Sequence, residues 1–202
     1  MESVSYLVRH GHAGNNAARV CNGDPTTGIR LTAKGLAQCR RAASALWLTN
    51  VRTLVTSELP RARQTGDLLL RGHSAHRVVE PLINEETYGH FEGGSLDAYK
   101  LWCGEHGATV APPGGGETRL AVLARFLRGL RACLAYPGPR LVVGHGLMLA
   151  MVRQLRRTGS LDPITERTPA HVTPLVLSDA ELGRLVVTGL AGIARLTARQ
   201  NP

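Results

Sequence analysis

Short apolar runs alternate along this chain with longer segments whose apolar positions recur every three or four residues, the spacing of a helix face. The first run, Val4 to Val8 with Tyr6-Leu7-Val8 at its centre, reads as a buried strand that stops abruptly at Arg9-His10-Gly11. Turn formers follow at Gly14, Asn15, Asn16, Gly23, Asp24 and Pro25. A helix is predicted from Leu31-Thr32, with Thr32 as its N-cap and Leu36, Cys39, Ala43, Leu46 and Trp47 on its core face. Thr53-Leu54-Val55-Thr56 reads as the second strand. Pro60 suits the first turn of a helix carrying Ala62, Thr65, Leu68 and Leu69. Val78-Val79 is a third, short strand.

The stretch from Asn84 to Gly116 is broken by glycines and by Pro112-Pro113, and is expected to form a small cap inserted over the sheet edge. Glu117 opens a long helix with Leu120, Leu123, Leu127, Leu130 and Leu134 on one face, ended by Pro137-Gly138-Pro139. Leu141 to Gly146 repeats the opening design, an apolar strand followed by His-Gly. The next helix buries Met148, Met151, Val152 and Leu155. Two more strands are predicted at Leu175–Leu177 and Leu185–Val187, with residues 198–202 as a frayed tail. No solenoid-length repeat is present. Alternating strands and helices predict a three-layer α/β/α sandwich on a mostly parallel sheet. Residues 1–202 are expected to form a single domain, with the cap at about 84–116.

Composition fits that picture. At 43% hydrophobic and 19% charged, a chain of 202 residues can bury a real core. No apolar run reaches membrane-spanning length and the opening residues lack a signal-peptide layout, so the expected location is the cytoplasm. The four cysteines are scattered, which favours reduced thiols over a zinc ribbon or a disulfide framework. The net charge of +9 comes almost wholly from arginine, and those arginines are dispersed. With only 4% aromatic residues there is no stacking platform for bases, so dedicated nucleic-acid binding is not expected. A dispersed basic surface attracts anionic substrates equally well.

In open α/β sheets, ligands bind outside the carboxyl ends of the strands. His10 follows the first strand, Arg61 lies just past the second, and His145 follows the fourth. If those strands are parallel neighbours, the three side chains converge. Two imidazoles, the guanidiniums of Arg9 and Arg61, and a carboxylate suit phosphoryl transfer, because a guanidinium fork matches phosphate oxygens bidentately. His10 attacks only when neutral; its Nδ1–H then needs an acceptor such as a backbone carbonyl, leaving Nε2 free. A protonated His145 would add a donor, and Gly11 and Gly146 would let backbone approach the phosphate. His10, His12 and His145 also suggest a metal set, but two arginines would repel a cation and no His-Glu-x-x-His run exists.

Six blocks in order resemble the histidine phosphatase superfamily, the branch of phosphoglycerate mutases and small bacterial phosphatases. They are Leu7-Val8-Arg9-His10-Gly11 with Asn16; Gly23-Asp24 and Leu31-Thr32-Ala33-Lys34-Gly35 with Gln38; and Thr56-Ser57 with Arg61-Ala62 and Gln64-Thr65. Asn84-Glu85 with Tyr88-Gly89 and Glu92-Gly93, Pro113 to Thr118, and Val143-Gly144-His145-Gly146 complete the set. The resemblance implies that His10 accepts the phosphoryl group, that Arg9, Arg61 and His145 form the phosphate pocket with Asn16, Gly23 and Gly146 assisting, and that Glu85 is the general acid. Glu86 and Glu92 are taken as solvated surface charges. Tyr88, His90, Phe91, Tyr99 and Trp102 are expected to shape the leaving-group pocket. His12 and Ala13 depart from the family pattern, which has an acidic or polar residue and then a hydroxyl residue there. The segment from Gly93 to Pro112 lacks the paired arginines with which mutases hold a phosphoglycerate, and this favours hydrolysis. The expected activity is a metal-independent phosphomonoesterase acting on a small phosphorylated metabolite through a phosphohistidine, with no cofactor. Mutase-type transfer and non-catalytic phospholigand binding are the alternatives. A homodimer remains open, and no membrane or nucleic-acid partner is expected.

Overall fold

A computed structural model describes residues 3–161 and 167–198. Strand β1, Val4–Arg9, lies parallel to β4, Arg140–Gly144, with Leu7 opposite Val142. Strand β2, Thr53–Thr56, runs parallel to β4 on its other side and to β3, His76–Val79. Strand β5, Pro174–Ser178, closes the far edge antiparallel to β1, giving the order β3-β2-β4-β1-β5. The three strands predicted to carry chemistry are thus parallel neighbours.

Side chains alternate across a strand, so each strand feeds two faces. Leu7, Val55 and Val142 join one buried cluster with α5 (Arg119–Cys133), α6 (Gly146–Thr158) and α7 (Asp179–Ala198). Val8, Leu54, Leu141 and Val143 join the other with α2 (Ala33–Ala42) and α3 (Pro60–Leu69). The result is the α/β/α sandwich. The short α1 (Gly14–Ala18) and the cap helix α4 (Leu96–His106) sit beyond the carboxyl ends of the strands, with Tyr88, Tyr99 and Cys21 as a small core of their own. No helix among the described residues is long and apolar enough to cross a membrane.

Local signals hold at several ends. The Thr32 hydroxyl accepts from the Gly35 amide as the N-cap of α2, and Pro60 opens α3. Thr118, rather than Glu117, caps α5. Three expectations fail. Leu185–Val187 is helix, because Leu182, Val186, Gly189 and Ile193 bury one face of α7 and override the strand preference of two adjacent valines. Helix α2 stops at Ala42 and a 3₁₀ turn follows, which leaves Leu46 86% exposed while Trp47 packs on Tyr6 at 4.9 Å. Glu86 and Glu92 are not solvated surface charges: both are held in the networks described below. The predicted tail lies, from residue 199 onward, outside the described residues.

Candidate active site

The ends of β1, β4 and β2 deliver His10, His145 and Ser57 side by side. Pairing carries past the strands themselves: the His10 amide donates to Gly144 O at 3.0 Å and the Ser57 amide to Val143 O at 3.3 Å. His10 is 2% exposed, and its ring lies 5.3 Å from that of His145, steeply inclined to it. His10 Nδ1 lies 2.7 Å from Gly11 O, so it carries the proton and donates it there. Nε2 is then the lone-pair nitrogen, and Arg61 Nε donates to it at 3.2 Å. Burial, and after it the charge of Arg61, push the His10 pKa well below the usual imidazole value. The ring is therefore neutral at physiological pH.

Arg61 has no exposed surface. It hydrogen-bonds Asn22 twice, through Nη1 to the side-chain oxygen and through Nη2 to Asn22 O at 2.9 Å. Asn22 is itself fixed by donating to Thr27 Oγ1 at 2.7 Å and to Glu92 Oε1 at 3.1 Å. Glu92 also accepts from the Gly23 amide at 3.0 Å. Gly23 therefore spends its N–H on Glu92, away from the cavity that His10 lines. Its missing side chain serves packing, since a Cβ there would come within 2.0 Å of Glu86 O. Gly11 is similar: a Cβ would sit 3.1 Å from both Cys39 Sγ and Gly35 O. Gly11 thus lets α2 approach β1, rather than lining the cavity.

Arg9 donates from Nη1 to Pro169 O at 3.0 Å, and its buried Nε has no hydrogen-bond partner among the described residues. Gly146, the first residue of α6, lies beside it, where a Cβ would come 3.4 Å from Arg9 Nε. His145 is fully buried and kept neutral by burial and by Arg61. Its Nε2 meets Ser57 Oγ at 2.8 Å, while Nδ1 has no hydrogen-bond partner among the described residues and faces Glu85 Oε2 at 3.7 Å. With Ser57 donating to Nε2, His145 offers an Nδ1–H without being cationic, so the donor considered in the sequence does not require the protonated form.

Glu85 has a side chain only 13% exposed. Burial and then the neighbouring Glu86 raise its pKa to about 7, against the opposing pull of Arg61 and Arg9. Its loop is tied down on both sides. Asn84 accepts from the Glu58 amide at 2.8 Å and donates to the Glu58 carboxylate at 2.6 Å, fastening the loop to the end of β2. Arg125 of α5 donates to Leu82 O, Asn84 O and Glu85 O at 3.0, 2.8 and 3.2 Å, and is itself paired with Glu117. Glu86 is 5% exposed, bound by Arg119 at 2.9 Å and by the Tyr99 hydroxyl at 2.8 Å.

Asn16 lines the cavity, and its Oδ1 accepts from the Ala13 amide at 2.9 Å as α1 begins. Tyr88 also lines it, edge to face with Tyr99 at 4.8 Å. His12 stands off the cavity and shares a hydrogen bond with Thr32 Oγ1 at 2.9 Å. Sequence reasoning missed Asn22, Arg125 and His171. His171 Nδ1 lies 2.6 Å from His10 O, and the next amide, of Val172, donates to Arg9 O at 2.9 Å. Val172 holds φ at 57°, a costly conformation for a β-branched residue. Residues 169–172 thus grip Arg9 and His10 from the β5 side. Among the described residues no three His, Cys, Asp or Glu side chains cluster closely enough to hold a metal ion.

The fold and the site define an α/β protein with two imidazoles, two guanidiniums and one protonatable carboxyl gathered at the carboxyl edge of its sheet. The chain belongs to the histidine phosphatase superfamily (branch 1), whose sequence profile matches residues 5–181. It is 32% identical over 154 residues to "Probable phosphoglycerate mutase GpmB" of Cronobacter sakazakii, covering 71% of this chain and 70% of that one. It is 29% identical to the adenosylcobalamin/alpha-ribazole phosphatase of Salmonella typhimurium, over 73% of this chain and 76% of that one. The alpha-ribazole phosphatase structure from Shigella flexneri superposes with a TM-score of 0.63 at 26% identity, covering 75% of this chain and 78% of that one.

Proposed function

We propose that this protein is a phosphomonoesterase that works through a phosphohistidine on His10, without a metal ion. The observation that carries the reading is the pairing of a locked, neutral His10 with a carboxyl that titrates near 7. A nucleophile and an acid are both ready at neutral pH. The phosphate oxygens take over the donors of Arg9 and Arg61 and the Nδ1–H of His145, whose combined charge and dipoles offset the charge that spreads over the transferring group. That exchange frees His10 Nε2 from Arg61. Nε2 bonds to phosphorus as the bond from phosphorus to the ester oxygen breaks, and Glu85 gives its proton to the departing alkoxide. Water then attacks phosphorus, Glu85 takes the water proton, and the N–P bond breaks to release inorganic phosphate.

His10→Ala should abolish phosphate release from p-nitrophenyl phosphate while far-UV circular dichroism stays unchanged; normal turnover by that variant would overturn the mechanism. EDTA should leave the rate unaltered. With an alkyl phosphate, whose leaving group needs a proton, Glu85→Gln should slow turnover far more than Glu86→Gln. Intramolecular transfer is the second reading, supported by relatives named as mutases. Isomerisation of 3-phosphoglycerate in the presence of 2,3-bisphosphoglycerate, faster than phosphate release, would decide in its favour.

A further inference from the structure

The cavity that opens from Arg9 and His10 runs on between α4, α5 and α6 and encloses about 760 Å³. That is the size of sites that enclose drug-sized ligands, and a phosphoryl group fills only its inner end. Leu96, Leu120, Leu123, Leu147 and Ala150 supply apolar wall from all three helices. Of the charged groups on the wall beyond the phosphate end, the two buried ones, Glu86 and Arg119, answer each other. Arg119 is paired with buried Glu86 at 2.9 Å, and the Tyr99 hydroxyl donates to the same carboxylate at 2.8 Å. Lys100 is solvent-exposed. A carboxylate on the leaving group that reached the apolar inner wall would therefore meet Glu86 and a guanidinium already committed to it, and burying an anion without its own counter-ion is costly.

We infer that the substrate is the phosphomonoester of an uncharged, largely apolar alcohol of ring size or larger, and that the Glu86–Arg119–Tyr99 network excludes acidic leaving groups. This inference rests on the phosphomonoesterase reading above. It commits the outer cavity to the alcohol half of the ester and assigns discrimination to residues that take no part in the bond changes.

The test compares kcat/KM for ethyl phosphate and 2-phenylethyl phosphate, both esters of primary alcohols, and for glycerol 3-phosphate and 3-phosphoglycerate. The phenylethyl ester should exceed the ethyl ester by at least about tenfold, the scale on which an apolar pocket rewards added bulk. Gly104 lines the cavity, and a Cβ there meets nothing within 4 Å, so Gly104→Trp adds bulk at the outer wall without a clash at its Cβ. It should lower the phenylethyl rate constant about tenfold and leave the ethyl one unchanged. Glu86→Gln frees Arg119 and should raise 3-phosphoglycerate relative to glycerol 3-phosphate about tenfold, a ratio from which any effect on Glu85 cancels. Equal rates for the two alkyl esters, or 3-phosphoglycerate as the best substrate of the unaltered protein, would overturn the substrate class and leave the phosphatase reading standing. No phosphate from any ester, p-nitrophenyl phosphate included, would overturn both.

Discussion

On the proposed reading, one carboxyl separates this site from a passive anion hole. Glu85 titrates at about 7 because it is buried and has Glu86 beside it. With an alkyl phosphate, kcat/KM should fall as pH rises through about 7, by tenfold per pH unit above it, as the acid form is lost. His10 stays neutral throughout, since its pKa lies well below 6.5. A pH–rate profile of Glu85→Gln should lack that alkaline limb; a limb that persists would assign it to another group. The same shift acts on stability with a definite sign. The folded pKa is above the ordinary 4.5, so the folded state binds the extra proton, and stability falls as pH rises from about 4.5 to about 7. Urea unfolding should find Glu85→Gln more stable than the unaltered protein at pH 8 by up to about 3 kcal/mol, with the gain largely gone at pH 4.5. His10, Arg9, Arg61 and His145 were legible in the sequence because each ends or follows an apolar run. Asn22 and His171 were not. They act on the site through partners 39 and 161 positions away, and nothing in their local sequence sets them apart from ordinary loop residues.

Arg125 shows how an element some distance along the chain sets the acid's position. From the middle of α5 it holds the Glu85 loop by three carbonyls, those of Leu82, Asn84 and Glu85, and Glu117 holds its guanidinium in turn. Arg125→Met keeps the apolar stem and removes those donors. It should cost about 1–3 kcal/mol in chemical unfolding, and lower kcat by about tenfold or more with KM little changed, because the acid loses its aim while the phosphate grip is intact. An unchanged kcat would mean the Asn84–Glu58 pair alone positions the loop. Element boundaries were legible where capping chemistry is local, as at Thr32 and Pro60. They failed where tertiary packing decides. The valines of Leu185–Val187 lie in a strand-like run, but the four-residue recurrence from Leu182 to Val186, continued at Gly189 and Ile193, seats the segment as a helix.

Across the whole molecule, a net charge of +9 would favour the approach of the proposed phosphomonoester dianions. Raising ionic strength from about 0.01 M to about 0.15 M shrinks the screening length from about 30 Å to about 8 Å. Over that range kcat/KM should drop several-fold while kcat at saturation holds; a salt-independent kcat/KM would remove steering from the account. The sandwich was legible from the alternation of strands and helices, whereas the adjacency of the three strands was only a condition in the sequence, since pairing across β2, β4 and β1 is set by long-range packing. The antiparallel β5 edge was not legible, since a lone apolar run does not declare its direction.

That edge bears on timing. His10 is synthesised well before the strands that flank its own, since β4 and β5 lie far downstream of β1. The His171 clasp on its carbonyl is 161 residues downstream. At about 5–20 residues per second, a newborn chain carries a finished Arg-His-Gly motif for roughly 8–30 s before it can be used. On the proposed reading, the chemistry waits on β5, and a chain stalled before that point displays the signature without the strand and the His171 contact that flank His10 in the folded protein.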